Sequence, residues 1–247
     1  ASDYNTVQGN VISGNSGVGI RIQGDDNLVG GIDSAHANTI FGNGTHGIRV
    51  SDDAVYSGNS FLGNSIYGNS ALGIDLKDAG DAGDFVTPND ASDGDSGSND
   101  LLNHPVMVAY ARNGADLDLV FELDAPAGDY RIEFFENASG LDPTGNGEGQ
   151  RFLGAASVTS AGSGAQTFPV TLNGVSITDG TTIVATATED RGLGDFGSTS
   201  EFGTATTAEL AYAELWLSTR DAVTGGGQSG TSTWDAGDLV KIGDPSL

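Results

Sequence analysis

The chain has 247 residues, 39 of them glycine and none cysteine, and its 34 acidic against nine basic residues give a formal net charge of −25. That charge excludes a nucleic-acid backbone or an anionic membrane as an electrostatically favoured partner and makes cations the natural counterpart. Glycine with abundant Ser, Thr, Asn and Asp excludes long helices and suits an all-β chain of about two domains. Lack of cysteine alone would be unremarkable in an intracellular enzyme, but an acidic, Lys-poor, cysteine-free β protein fits an extracellular, secreted or cell-surface setting in which metal ions do the stapling. No apolar run is long enough for membrane insertion and no signal peptide is evident, so the sequence reads as a soluble, processed or excised piece.

Residues 1–80 are organised by a stretch written three times. Asn10-Val-Ile-Ser-Gly-Asn-Ser-Gly-Val-Gly-Ile-Arg-Ile22 returns as Asn38-Thr-Ile-Phe-Gly-Asn-Gly-Thr-His-Gly-Ile-Arg-Val50 and as Asn64-Ser-Ile-Tyr-Gly-Asn-Ser-Ala-Leu-Gly-Ile-Asp-Leu76. Each copy alternates with period 2 on both sides of a Gly-Asn corner, which predicts two short strands per copy. Stacking at about 4.8 Å aligns Ile12, Ile40 and Ile66 in one inward ladder and Ile20, Ile48 and Ile74 in another, with Arg21, Arg49 and Asp75 in an outward column. Gly14, Gly42 and Gly68 supply the freedom the corner needs, and the amides of Asn15, Asn43 and Asn69 bond between rungs. Asn5-Thr-Val-Gln-Gly-Asn10 matches Asn59-Ser-Phe-Leu-Gly-Asn64, so a third strand per rung is implied; residues 23–37 and 51–58 read as variable loops.

On these motifs residues 5–80 resemble the right-handed parallel β-helix, the pectate-lyase-like architecture of many bacterial surface proteins. The resemblance specifies an architecture and not an activity.

Residues 81–100 read as an acidic linker, part of a stretch in which seven aspartates fall between Asp78 and Asp100. Asp90, Asp93, Asp95, Asn99 and Asp100 space side-chain oxygens as calcium loops do. Residues 101–207 show seven alternating segments, at 105–111, 116–123, 129–136, 150–158, 165–172, 181–188 and 199–204, which predict an Ig-like antiparallel β-sandwich. They are similar to the sandwich that follows β-helix repeats in large bacterial surface proteins. The turn holding Asp142, Asn146 and Glu148 is a second oxygen-rich candidate for calcium. Residues 208–247, with Trp216 and Trp234, read as a tail or the first strands of a further domain.

The resemblance also implies a rival, a polysaccharide lyase, a glycosidase or a carbohydrate-binding module. Arg49 beside Asp75 is the acid–base pair available to it, but one carboxylate is not the cluster such chemistry needs, and the pair reads as an exposed cross-rung salt bridge. His36, His46 and His104 read as isolated. The expected function is a non-enzymatic, calcium-stabilised structural or adhesive module of a surface or fibre-forming protein. It would bind a polysaccharide or cell-surface ligand, or self-assemble through uncapped ends of the stack and the 208–247 tail.

Overall fold

The computed structural model of the protein describes residues 2–51, 55–77, 85–143, 145–203, 205–207, 209 and 210. It is all-β apart from two 3-10 turns, Ser34–His36 and Ser98–Leu101. The expectations for Trp216, Trp234 and most of the 208–247 tail lie outside the described residues.

Three rungs form the first part. Rung one comprises β1 (Thr6–Val7), β2 (Val11–Ser13) and β3 (Ile20–Ile22); rung two β4 (Leu28–Gly30), β5 (Thr39–Phe41) and β6 (Ile48–Val50); rung three β7 (Ser60–Leu62), β8 (Ser65–Tyr67) and β9 (Ile74–Leu76). Equivalent strands pair in parallel into three sheets, β1-β4-β7, β2-β5-β8 and β3-β6-β9, stacked consistently with a β-helix-like architecture. The register is the one the repeats predict: Ile12, Ile40 and Ile66 align, as do Ile20, Ile48 and Ile74. Ile40, Ile48, Ile66 and Ile74 are buried, whereas Ile12 and Ile20, on the first rung, are only half-buried.

One supposed loop is in part a strand. Residues 23–37 contain Asn27-Leu-Val-Gly30, whose β4 pairs with both β1 and β7. The six residues 32–37, which bulge outward through the Ser34–His36 turn, disguise the match with Asn5-Thr-Val and Asn59-Ser-Phe.

The motif's two glycines act differently. Gly14, Gly42 and Gly68 have φ of +68°, +61° and +61° with open space where a Cβ would sit. A Cβ on Gly19 would instead lie 2.6 Å from the Gly47 carbonyl, and one on Gly47 2.6 Å from that of Gly73, so that column fixes how closely rungs approach.

The second part has two antiparallel sheets, β10 (Val106–Asn113), β11 (Asp116–Leu123) and β14 (Gln166–Leu172) against β12 (Gly128–Glu136), β13 (Arg151–Ser160), β15 (Ile183–Gly192) and β16 (Asp195–Thr199). Tyr110, Leu119 and Phe121 from one sheet and Ile132, Phe134 and Ala185 from the other share one apolar core. Six strands fall where the alternation predicts them. The seventh lies earlier, ending rather than starting at Thr199; Ser200 still donates its N–H to the Ala187 carbonyl at 2.8 Å, and the next two residues, Glu201 and Phe202, meet the rungs. Glu209 and Leu210, the first described residues of the tail, run beside β10 of the same unit.

The two parts share a second core. Val29, Ile48, Phe61 and Leu76 of the rungs pack in one cluster with Leu101, Phe135, Val184 and Phe202, and the Phe135 and Phe202 rings meet edge to face at 5.4 Å. The far end of the stack is therefore covered, not open as its sequence suggests.

Candidate functional site

Three asparagine ladders run through the rungs, and each has a direction. Asn5, Asn27 and Asn59 form one, Asn10, Asn38 and Asn64 the second, and Asn15, Asn43 and Asn69 the third. In each, the backbone N–H and the Nδ2 of one asparagine both donate to Oδ1 of the next. Asn27 reaches Asn59 at 3.0 and 2.9 Å, Asn38 reaches Asn64 at 3.0 and 2.9 Å, and Asn43 reaches Asn69 at 3.1 and 2.9 Å. A buried amide so engaged leaves no donor orphaned, which its near-complete burial requires.

Where a fourth rung would follow, the two-sheet unit imitates one. Asn99 Oδ1 takes the Asn59 N–H at 2.9 Å. Glu148 Oε1 takes the N–H and Nδ2 of Asn69 at 3.3 and 2.8 Å. Glu133 Oε2 takes the Gly63 N–H at 2.7 Å, and Glu201 Oε1 the Leu76 N–H at 2.8 Å. The Gly149 carbonyl accepts from Ile66 N–H at 2.8 Å, and Thr199 Oγ1 from Phe61 N–H at 2.9 Å. Asn99-Asp-Leu-Leu102 repeats the pattern of Asn59-Ser-Phe-Leu62, and Leu101 enters the rung core as Phe61 does. Asn99, Asp100 and Leu101 all sit at φ between +51° and +59°, a costly backbone for non-glycine residues that the surrounding contacts hold in place.

Burial raises the carboxyl pKa of Glu133 and of Glu148, and pushes that of Glu201 up to about 8, with the Asp75 charge adding to the shift. The hydrogen bonds from Leu76 and Thr87 N–H oppose the shift at Glu201 without cancelling it.

The Arg49–Asp75 column is where its spacing predicts, with Arg49 paired to Asp75 in register, but it is not exposed. Asp75 is 1% exposed, and its Oδ2 lies 3.1 Å from Arg49 Nε and 3.4 Å from His46 Nε2. His46, read as an isolated surface residue, is itself 1% exposed. Arg21, one rung earlier, faces solvent. The Asp75 carboxylate is thus sealed between the Arg49 guanidinium and the His46 imidazole.

Of the five acidic-stretch candidates the structure gathers three. Carboxylate oxygens of Asp90, Asp93 and Asp95 lie within 4.8 Å of one another, a spread that one cation with oxygen ligands at about 2.3 to 2.6 Å can bridge. Asp93 and its neighbour Ser92 lie in a left-handed turn, with φ of 52° and 63°. Asp93 Oδ1 accepts from Asn103 N–H at 2.7 Å, Asp90 from Gly94 N–H at 3.0 Å, and Asp124 Oδ2 from Ser92 N–H at 3.1 Å. Asp124 Oδ1 is buried with no hydrogen-bond partner among the described residues. Burial, with the charges of Asp95, Asp90 and Asp100, pushes the Asp93 carboxyl up to about 6. Asn99 and Asp100 are directed elsewhere: Asn99 belongs to the ladder, and Asp100 accepts from Ser57 Oγ at 3.0 Å and Ser198 Oγ at 2.6 Å.

The second calcium candidate is divided in the same way. Asp142 Oδ1 accepts from Asn146 N–H at 3.1 Å in a tight turn, while Glu148 is turned inward onto Asn69. Asn43-Gly-Thr and Asn137-Ala-Ser match the N-glycosylation sequon, and their asparagines are only 1% and 2% exposed.

Compared by sequence, the chain matches no protein-family model and no curated protein.

Proposed function

We propose that the chain is a non-enzymatic structural module of an extracellular surface or fibre-forming protein, built as a right-handed β-helix closed by an Ig-like sandwich. The observation that carries this reading is the imitation rung: the sandwich supplies an acceptor to each strand direction of the last coil, which makes two folds into one stiff body. Sealing of Asp75 and His46 beneath that joint supports a load-bearing use of the charged column over the rival carbohydrate-active one.

Within this reading Asp90, Asp93 and Asp95 form a calcium staple beside the joint, where a divalent ion turns mutual repulsion into attraction. Extracellular calcium is near millimolar, enough to fill a site of the weak extracellular type.

The test is an assay for unsaturated and reducing sugar ends over a panel of acidic polysaccharides, with and without calcium. The expected outcome is no turnover, and a lowered melting temperature for Asp75→Ala. Robust turnover by the parent chain that Arg49→Ala or Asp75→Ala abolishes would establish the enzymatic reading instead.

A further inference from the structure

Asparagine is chemically labile, and most so before glycine, where no side chain hinders the next backbone nitrogen. That nitrogen adds to the asparagine Cγ and expels ammonia, and the succinimide so formed takes up water to give aspartate or isoaspartate. Water is the only co-reactant. The reaction also needs a glycine N–H free to lose its proton and an amide free to turn onto it. Asn-Gly occurs four times in the chain, at Asn43, Asn113, Asn146 and Asn173, and the fold treats the four differently.

At Asn43-Gly44 both reactants are held. The Asn43 amide is 1% exposed, donates to Asn69 Oδ1 at 2.9 Å and accepts from Asn15 Nδ2 at 2.9 Å, while Gly44 N–H donates to the Asn15 carbonyl at 2.8 Å. At Asn146-Gly147 the linking peptide is fixed. The Asn146 carbonyl takes the Asp142 N–H at 2.8 Å, and Gly147 is buried so closely against Val184 that it has no room for a Cβ. Asn173 is exposed, but its nucleophile is guarded: Gly174 N–H donates to Asp116 Oδ1 at 2.8 Å. Asn113-Gly114, where β10 turns into β11, has none of these protections. Gly114 is exposed, with φ of +65° and open space where a Cβ would sit. Among the described residues no acceptor meets its N–H and no partner meets the Asn113 amide.

We propose that Asn113 is the chain's site of spontaneous deamidation, and that Asp116 keeps Asn173 from becoming a second one. Asp116 stands opposite Asn113 in the β10–β11 register, and its carboxylate reaches the turn after β14. A carboxylate that accepts the Gly174 N–H also opposes its deprotonation, because the amide anion would face a like charge. Conversion of Asn113 places a new carboxylate opposite Asp116, a destabilising like-charge pair across the strands. The bonds that stack the rungs shield Asn43, so chemical ageing enters the sandwich before the stack.

The inference rests on these four environments and stands with or without catalysis. Its test incubates the full chain in mildly alkaline buffer, folded and in guanidinium chloride, and follows each asparagine by peptide mapping and mass spectrometry. Unfolded, the four should react at comparable rates; folded, Asn113 should lead the other three by at least ~10-fold. Asp116→Ala should speed Asn173 by at least ~10-fold and leave Asn43 unchanged, Asn43 being the internal report that the fold is intact. Asp116→Asn, which keeps a neutral acceptor, should give a smaller rise and guards against an alanine variant that unfolds. Equal rates at Asn43 and Asn113 in the folded chain overturn the proposal, as does an Asn113 that stays intact while another of the four reacts. An Asn173 rate that neither variant changes overturns the role of Asp116.

Discussion

Glu148 Oε1 receives both the backbone N–H and the Nδ2 of Asn69, at 3.3 and 2.8 Å, in the geometry by which Asn69 Oδ1 itself receives Asn43. A carboxylate thus stands in for the asparagine of a missing rung. Glu148→Gln keeps an acceptor oxygen at that place and should change stability by less than about 1 kcal/mol. Glu148→Ala leaves two buried donors unsatisfied and should cost about 2 to 4 kcal/mol. Urea denaturation of the two variants checks the difference; equal losses would mean that the contact does not bridge the parts.

The buried glutamates make stability depend on pH in a stated direction. Glu201 is raised from 4.5 to about 8 on folding, so the folded chain holds a proton that the unfolded chain has released. Its contribution is complete below about pH 4.5 and is lost as pH rises through about 8. Glu133 and Glu148 shift the same way, while Glu136, whose carboxyl is lowered, contributes above its unfolded value and is constant over that window. In chelator the urea midpoint should fall steadily from pH 5 to pH 8.5, and Glu201→Gln should flatten the slope. A midpoint that rises over this range contradicts the assignment.

Calcium should act against that trend at the Asp90, Asp93 and Asp95 cluster. Asp93 is raised to about 6, so at pH 5 a proton holds the place that the ion needs, and at pH 7.5 the carboxylate is free to bind. The melting temperature in calcium minus that in chelator should be larger at pH 7.5 than at pH 5. Asp93→Asn with Asp95→Asn should remove the difference. Equal melting temperatures with and without calcium at pH 7.5 leave the cluster as a solvated turn.

Gly42 and Gly47 should respond unequally to alanine. At Gly42 the cost is that of a left-handed backbone, about 1 to 2 kcal/mol, with no contact to displace. At Gly47 the new methyl meets the Gly73 carbonyl at 2.6 Å and Ile66 Cγ2 at 2.7 Å, and the loss should exceed that of Gly42→Ala, since rungs must separate to admit it. Thermal denaturation of both variants checks the order.

The sequence shows the rungs because their information is local. A period-2 pattern and a Gly-Asn corner recur within 13 residues, and burial at Ile40 and Ile66 follows from them. β4 is not legible in the same way, because six inserted residues separate Gly31 from Asn38 and break the spacing. The joint is hidden for a different reason. Asn99 and Glu148 meet their partners 40 and 79 residues away, and an oxygen that accepts from an N–H has the same sequence signature as one that ligates calcium. His46 looked isolated because Asp75, its neighbour, comes from the adjacent rung. The echo of Asn59-Ser-Phe-Leu62 in Asn99-Asp-Leu-Leu102 was the one local signal that the ladder continues.

The imitation rung touches what all rungs have in common. It meets backbone N–H groups at Gly63, Ile66 and Leu76 and the shared asparagines at 59 and 69, besides the third coil's own Ser60 and Ser65 hydroxyls, which donate to the Gly197 and Gln150 carbonyls. A gene encoding this chain can therefore gain or lose whole coils upstream by unequal recombination without any matching change in the terminator. Copy number and closure are inherited independently, so coil number can vary among descendants while the terminal residues stay the same.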